Sequence, residues 1–162
     1  MSSSEKNKLI ETIGVTVMRW QDATEAFDET VGQLHNLTSA DRRCLSFVSL
    51  GPQTASAIAK ETALTPAAVT ALIDRLEVRK LVQRRSDTSD RRKVLVEATD
   101  KTRELIRGTY TPIAQAGVKM LASYSVAELT AIGRFVEEAL VLQQRMTTKL
   151  LERKQKNERL GQ

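Results

Sequence analysis

Cysteine, histidine and aromatic side chains are scarce in this sequence of 162 residues. It contains one cysteine and one histidine, and only 4% of its residues are aromatic. A single cysteine, Cys44, cannot form an intrachain disulfide, so nothing in the sequence favours an oxidising compartment. There is also no glycine-rich phosphate loop and no recognisable pair of carboxylates. The sequence therefore predicts a protein that is not an enzyme and that holds no cofactor and no metal.

Long apolar runs are absent as well. No stretch approaches the ~18 apolar residues of a membrane span, and residues 1–8 lack the apolar core of a signal peptide. We therefore expect a cytoplasmic protein with no membrane partner. Three prolines and seven glycines, with 41% hydrophobic and 28% charged residues, are typical of a helix-rich protein.

Positive charge is concentrated in one short segment. The chain has a formal net charge of +5, and between Arg79 and Lys93 seven cationic residues face two carboxylates, a surplus equal to that of the whole chain. A concentrated positive strip suits a polyanionic partner better than a diffuse basic surface does. The alternative is a solvated segment that only keeps the protein soluble.

Apolar spacing and capping residues predict long helices at both ends of the chain. Apolar residues between Ile10 and Leu34 recur every three or four positions, which indicates an amphipathic helix that packs on other long helices, including those of a second copy. Capping-box spacing at 38–41 and 125–128 marks the start of two further helices. In the helix that follows Thr99, Pro112 predicts a kink or a break.

The middle of the chain carries two short helices and a hairpin. Thr54 begins one helix, and Thr65 and Pro66, a preferred N-cap and a tolerated first residue, begin the next. The β-rich segments 81–82 and 94–96 flank a polar, turn-prone stretch. This order predicts a helix-turn-helix followed by a basic hairpin, which can contact the major groove and the adjacent minor groove of double-stranded DNA.

Small side chains at the start of the second of these helices suit a major groove about 12 Å wide. Only Arg75 is a strong candidate for reading guanine, so we expect sequence discrimination to depend on DNA shape as well. The predicted DNA-binding residues are Thr54, Ser56, Thr65, Pro66, Ala67, Ala68, Thr70, Ala71, Arg75, Arg84, Arg85, Asp90, Arg91, Arg92 and Lys93.

A characteristic succession of motifs runs through this region: Leu64–Thr65, Asp74–Glu77, Leu81–Val82, Asp87–Val94 and Thr99. With these motifs, the segment from Leu37 to Leu105 resembles the MarR family of winged helix-turn-helix regulators. The D-x-R element of the family's wing corresponds to Asp90 and Arg92.

We therefore predict a mainly α protein, a winged helix-turn-helix with a two-stranded β wing and long terminal dimerisation helices, divided at 1–36, 37–98 and 99–162. The resemblance implies a homodimeric transcriptional regulator, most often a repressor, on a pseudo-palindromic operator, released by a small aromatic ligand or by oxidation. It makes Arg92 the minor-groove arginine and Asp90 its partner. Lys80 stands where the family usually has glycine, and a left-handed conformation costs a residue other than glycine about 1 kcal/mol. We therefore expect the chain between this helix and the wing to follow a different path.

Three residues and two other functions remain as alternatives. Trp20 and His35 are candidates for binding an effector ligand, although Trp20 lies on an apolar stripe that favours packing and His35 lies in a predicted loop. Cys44 is a candidate oxidation sensor, but its position beside Leu45 favours a buried, inert thiol. The two other functions are an architectural DNA binder of low sequence specificity and a winged-helix module that binds protein.

Overall fold

The computed structural model describes residues 3–87, 90 and 93–160. In this part of the chain, six helices and three short strands follow one another: α1 (Ser3–His35), α2 (Ser39–Ser49), β1 (Gln53–Thr54), α3 (Ala55–Thr62), α4 (Pro66–Val78), β2 (Val82–Ser86), β3 (Val94–Ala98), α5 (Asp100–Leu121) and α6 (Val126–Leu160). The mainly α fold with a small β wing is confirmed. The chain divides into two compact units, Met1–Thr111 and Pro112–Gln162.

The predicted helix starts are confirmed by their capping hydrogen bonds. Thr38 and Asp41 form both bonds of a capping box at the start of α2. At the start of α4, the Thr65 hydroxyl accepts a hydrogen bond from the Ala68 N–H at 3.3 Å, and Pro66 is the first helical residue. These side chains satisfy backbone donors that a helix leaves unpaired in its first turn.

The core of the first unit is built around the inner face of α4. Its four apolar residues, Val69, Leu72, Ile73 and Leu76, are each at most 2% exposed, as their helical spacing predicts. They belong to one cluster with side chains from α2, α3 and the sheet, among them Leu45, Val48, Ile58, Val82 and Val96. The helix-turn-helix and the sheet therefore share a single core.

The sheet has one strand more than the sequence predicted. All three strands are antiparallel in the order β1-β3-β2, with Gln53 opposite Val96 and Val82 opposite Ala98. The two-stranded wing is confirmed in β2 and β3, and the strand that the sequence did not predict is β1. A strand of two residues is too short to display the alternation by which strands are recognised in sequences.

Of the kink or break predicted at Pro112, the break does not occur, because α5 continues through this residue to Leu121. Proline removes one backbone donor and crowds the preceding turn, at a cost of about 3 kcal/mol. A helix of 22 residues retains its other backbone hydrogen bonds on both sides of the proline.

Three helices of the first unit are followed by a residue in the left-handed conformation that is not glycine. These residues are Asn36 after α1, Ala63 after α3 and Lys80 after α4, with φ values of 50°, 55° and 59°. Ala63 occupies the position where a helix-turn-helix usually has glycine. Each residue allows the chain to reverse direction directly after its helix.

The turn after α4 is a complete Schellman motif despite the lysine. The N–H of Leu81 donates to the carbonyl of Leu76 at 2.9 Å, and the N–H of Lys80 donates to the carbonyl of Glu77 at 2.8 Å. The Lys80 carbonyl in turn accepts a hydrogen bond from the Thr99 hydroxyl at 2.8 Å. The predicted change in the path of the chain was therefore wrong. Lys80 itself adopts the left-handed conformation, and the hydrogen bonds of this turn stabilise it.

Replacing this lysine by glycine tests the strain. Lys80→Gly should stabilise the protein by about 0.5–1 kcal/mol, because relief of the left-handed penalty exceeds the entropy that glycine adds to the unfolded chain. Urea unfolding followed by circular dichroism measures the change. Lys80→Ala, which removes the same charge but keeps Cβ, is the control and should give no such gain. A decrease in stability for Lys80→Gly would contradict the strain.

Candidate nucleic-acid interface

The outer face of α4 is narrow and carries no charge in its first two turns. Thr65, Pro66, Ala67, Thr70 and Ala71 are exposed, and Ala68 is partly exposed. The hydroxyl of Thr70 donates to the carbonyl of Pro66 at 3.1 Å. This face therefore presents methyl groups and hydroxyl oxygens, a surface slim enough for a major groove.

The start of α3 carries the two other predicted hydroxyl residues. Thr54 caps α3 by accepting the N–H of Ala57 at 3.2 Å, and its hydroxyl lies 3.0 Å from that of Ser56. Ser56 is exposed and Thr54 is partly exposed. An N-terminal turn of this kind directs backbone N–H groups outward, an arrangement that suits a phosphate.

Arg75 is anchored to the helix that precedes the helix-turn-helix. Its Nη2 donates to Oδ1 of Asp41 at 2.6 Å, while Oδ2 of Asp41 accepts the N–H of Thr38 at 2.9 Å. The side chain of Asp41 is only 2% exposed, whereas that of Arg75 is 49% exposed. A buried carboxylate needs such partners, so Arg75 has a structural role that the sequence did not indicate, and its role in reading guanine remains a prediction.

Arg84 of β2 is held by two carboxylates of α4. Its Nη2 donates to Oδ1 of Asp74 at 2.6 Å, and its Nη1 donates to Oε2 of Glu77. The backbone N–H of Arg84 also donates to Oε1 of Glu77 at 3.2 Å. The hydrogen bond to Asp74, followed by the charge of Glu77, raises the pKa of Arg84 above its ordinary value. The sequence did not anticipate these partners.

The remaining described cations of the hairpin also lie close to carboxylates. Nε of Arg85 lies 2.8 Å from Oε2 of Glu97 on the neighbouring strand, and Nζ of Lys93 lies 3.8 Å from Oδ2 of Asp90. Arg91 and Arg92 lie outside the described residues, so the minor-groove role of Arg92 and its pairing with Asp90 remain predictions.

Arg79 connects the end of α4 to the end of α1, a contact that the sequence did not indicate. Its two terminal nitrogens donate to the carbonyls of Asn36 and His35, each at 2.7 Å. Nζ of Lys101 donates to the carbonyl of Arg79 at 3.1 Å. Unpaired carbonyls at a helix C-terminus attract cations, but nothing local in a sequence identifies a partner more than 40 residues away.

An open pocket of about 850 Å³ lies among α1, α2 and the beginning of α5, within the first unit. Its lining residues include Trp20, Arg42, Phe47, Leu105 and Tyr110, so it combines aromatic surface with a cationic group. Trp20 is 60% exposed, so the core packing favoured for it does not occur in the single chain.

His35 is not among the residues that line this pocket. It is the last residue of α1 rather than part of a loop, and its Nε2 lies 3.4 Å from the Thr109 hydroxyl. The loop prediction was wrong because the capping turn begins one residue later, at Asn36. The two candidate ligand-binding residues thus lie in different surroundings.

The middle of α5 is held against α1 by an aromatic pair. The rings of Phe27 and Tyr110 meet edge to face, with centroids 5.8 Å apart, and the Tyr110 hydroxyl donates to Oδ1 of Asp28 at 3.0 Å. Burial, together with this hydrogen bond, raises the pKa of Tyr110. Tyr110 and Asp28 both line the pocket.

Cys44 is fully buried in α2. Burial, with a smaller contribution from the charge of Asp41, raises the pKa of this thiol to about 12. At neutral pH the reactive thiolate is therefore scarcely populated. The predicted burial of Cys44 is confirmed, and its raised pKa disfavours an oxidation sensor at this position.

Within the residues that the structure describes, no three histidine, cysteine or acidic side chains come together in a way that would hold a metal ion. None of the described helices has both the length and the apolar character needed to span a bilayer.

Comparison with known proteins gives a consistent result. The MarR family model matches residues 35–93, from the end of α1 to the residue before β3. The uncharacterised helix-turn-helix transcriptional regulator YcgE of Bacillus subtilis is 29% identical over 141 residues, which cover 86% of this chain and 92% of the relative. The transcriptional repressor NicR of Pseudomonas putida is 33% identical over 82 residues, covering 51% of this chain and 52% of NicR.

Among solved structures, a mutant of MepR from S. aureus, bound to an oligodeoxyribonucleotide, superposes with a TM-score of 0.53. It is 20% identical, and the match covers 80% of this chain and 96% of that one. This likeness confirms the fold. Together with the matched motifs and the helix-turn-helix geometry, the family model shows that residues 35–93 form a winged helix-turn-helix segment of the MarR family, and both relatives that resemble the chain are helix-turn-helix transcriptional regulators.

Proposed function

We propose that the protein is a cytoplasmic repressor that binds a pseudo-palindromic DNA operator as a homodimer. The observation that carries this proposal is the slim, uncharged outer face of α4, which begins at a capped helix end beside a basic hairpin. The DNA-bound MepR structure, which shares the fold, supports DNA as the partner. The name of NicR, a transcriptional repressor, supports repression over activation.

In this proposal, the two elements of the winged helix-turn-helix divide the DNA contacts. The first turns of α4 enter the major groove, where Ala67, Thr70 and Ala71 meet base edges with methyl groups and a hydroxyl. Arg92 enters the adjacent minor groove, where the negative potential is enhanced. Because α4 offers few strong base readers, part of the specificity comes from DNA shape.

Binding to DNA selected from a random duplex library tests this division. The selected fragment should contain an inverted repeat with half-sites about one helical turn apart, since a two-fold symmetric dimer presents two α4 helices. Arg92→Ala should weaken binding about tenfold and reduce the magnitude of the slope of log affinity against log salt by about 0.9, because one cation fewer displaces counterions from the DNA. Fluorescence anisotropy at several salt concentrations measures both quantities.

Lys119→Ala, which removes a cation from the second unit, is the matched control and should change neither quantity. An unaltered affinity for Arg92→Ala would contradict the wing assignment. Equal affinity for selected and random duplexes at high salt would instead favour an architectural DNA binder. The absence of duplex binding at any salt concentration would favour a protein-binding module.

Exposed apolar residues on the long helices support the homodimer. On α6, Val136, Met146 and Leu150 are 44%, 46% and 60% exposed, and on α1, Ile10 and Ile13 are 57% and 48% exposed. Ile10 and Ile13 belong to the stripe whose spacing predicted helix packing. Large exposed apolar patches commonly mark protein interfaces, and a second copy presents the same stripes to its partner.

A double variant of α6 tests this dimer. Met146→Glu combined with Leu150→Glu should lower dimer affinity by about 100-fold or more, because unpaired carboxylates would be buried at the interface. Analytical ultracentrifugation measures the dimer fraction. Thr148→Glu, on the opposite side of the helix, is the control. A wild-type chain that remains monomeric at micromolar concentration, or a double variant that dimerises normally, would contradict the proposal.

We further propose that a small aromatic ligand releases the protein from DNA by binding the pocket beside Trp20. The pocket supplies aromatic surface from Trp20, Phe47 and Tyr110, and Arg42 could pair with a carboxylate or a phenolate. The ligand would act only through a difference in affinity between the DNA-competent form and another form.

Trp20 is the only tryptophan of the chain, so its fluorescence reports directly on this pocket. A panel of phenols and aromatic carboxylates should include compounds that change this fluorescence and weaken operator binding. By calorimetry, Phe47→Ala should weaken binding of such a compound about tenfold through lost ring contact, whereas His35→Ala, outside the pocket, should not. If no compound in the panel binds, or if binding leaves operator affinity unchanged, the effector proposal is wrong.

A further inference from the structure

The predicted hairpin cations include Arg84, yet its surroundings differ from those of a phosphate-binding residue. Three hydrogen bonds join it to α4: one from each terminal guanidinium nitrogen, to Asp74 and Glu77, and one from its backbone N–H to Glu77. We call this group of three residues the α4–β2 clasp. Arg84 takes part in the clasp with both its backbone N–H and its guanidinium group.

The register of the sheet explains why Arg84 faces α4. Side chains two residues apart on a strand share a face, so Arg84 lies on the same face as Val82. Its cross-strand partner is Val96, and Val82 faces Ala98. Val82, Val96 and Ala98 are each 1% exposed. Arg84 thus continues the core face at the point where the apolar core ends.

The carboxylates are equally well placed by the helix. Asp74 and Glu77 are three residues apart on α4 and therefore neighbours on one face. Only residues 79–81, with the left-handed Lys80, separate α4 from β2. The clasp therefore closes a very short connection between the proposed DNA-reading helix and the strand that leads into the wing.

We propose that Arg84 is a positioning residue that fixes the direction of the wing relative to α4, and that it does not contact phosphate. The inference rests on the proposed DNA-binding function. A bidentate guanidinium restricts orientation more strongly than a lone ion pair does. With the wing fixed, the major-groove and minor-groove contacts fit the duplex at the same time. Without the clasp, each contact forms separately and affinity falls.

The two possible roles of Arg84 predict opposite changes in DNA affinity when the carboxylates of Asp74 and Glu77 are neutralised. If Arg84 contacted phosphate, Asp74→Asn combined with Glu77→Gln would release the guanidinium and remove repulsion, so binding would tighten. In the clasp, the same double variant should bind the selected operator about tenfold more weakly. Arg84→Gln should lose a similar factor, and the triple variant should lose no more than either, because all three changes break one unit.

The salt dependence supplies a second distinction. Arg84→Gln should leave the slope of log affinity against log salt unchanged, whereas loss of a phosphate contact lowers it by about 0.9. Glu61→Gln, which removes a carboxylate from α3 outside the clasp, measures the general effect of a lost negative charge. Tighter binding by the Asp74→Asn/Glu77→Gln variant, beyond that of Glu61→Gln, or a slope reduced by about 0.9 in Arg84→Gln, would overturn the proposal.

A measurement without DNA separates this inference from the proposed function and from simple misfolding. Residual dipolar couplings of amides in the free, full-length protein report the orientation of β2 and β3 relative to α4. In Arg84→Gln the hairpin should lose its fixed alignment with α4, while α2 and α4 keep theirs. A hairpin that remains aligned would overturn the clasp. If the wild-type protein bound no duplex DNA, the proposed function would fail, yet the couplings would still decide whether the clasp orients the hairpin.

Discussion

The burial of the inner face of α4 is the interaction on which the rest of the structure depends. A helix of 13 residues is marginal in isolation, and each buried Val, Leu or Ile side chain contributes roughly 1.5–3 kcal/mol. Val69, Leu72, Ile73 and Leu76 together attach α4 to α2, α3 and the sheet. Because packing alone secures this helix, its outer face does not need large side chains and can remain slim.

Charged groups around α4 also restrict its orientation. Asp41 binds Arg75 at the start of α2, Arg79 binds the last carbonyls of α1, and Arg84 binds the carboxylates of α4 from the wing side. Ion pairs as exposed as that of Arg84 contribute little to stability. Their directional hydrogen bonds nevertheless fix the helix relative to α1, α2 and β2, three elements that apolar packing would leave freer to shift.

The sequence was sufficient where a signal is local. Thr65 and Pro66 indicate the start of α4, because capping and the tolerance of proline depend only on adjacent residues. The buried face of α4 follows from helical spacing. The sequence was insufficient where a tertiary partner decides the outcome. Asp41 and Arg75 are 34 residues apart, so Arg75 looked like an unoccupied guanine reader. Lys80 looked incompatible with the turn because sequence alone does not reveal the hydrogen bonds that hold it.

The pairing of cations also bears on the choice between a regulator and an architectural DNA binder. Non-specific affinity comes mainly from cations that neutralise phosphates without other partners. Arg84 and Arg85 instead lie against carboxylates of α4 and β3, so their attraction for a distant polyanion is partly offset. In the proposed function, binding would then depend more on the close fit of the slim helix face and of the wing. A surface of that kind would discriminate between duplexes of different shape and sequence, which favours the proposed regulator over an architectural DNA binder.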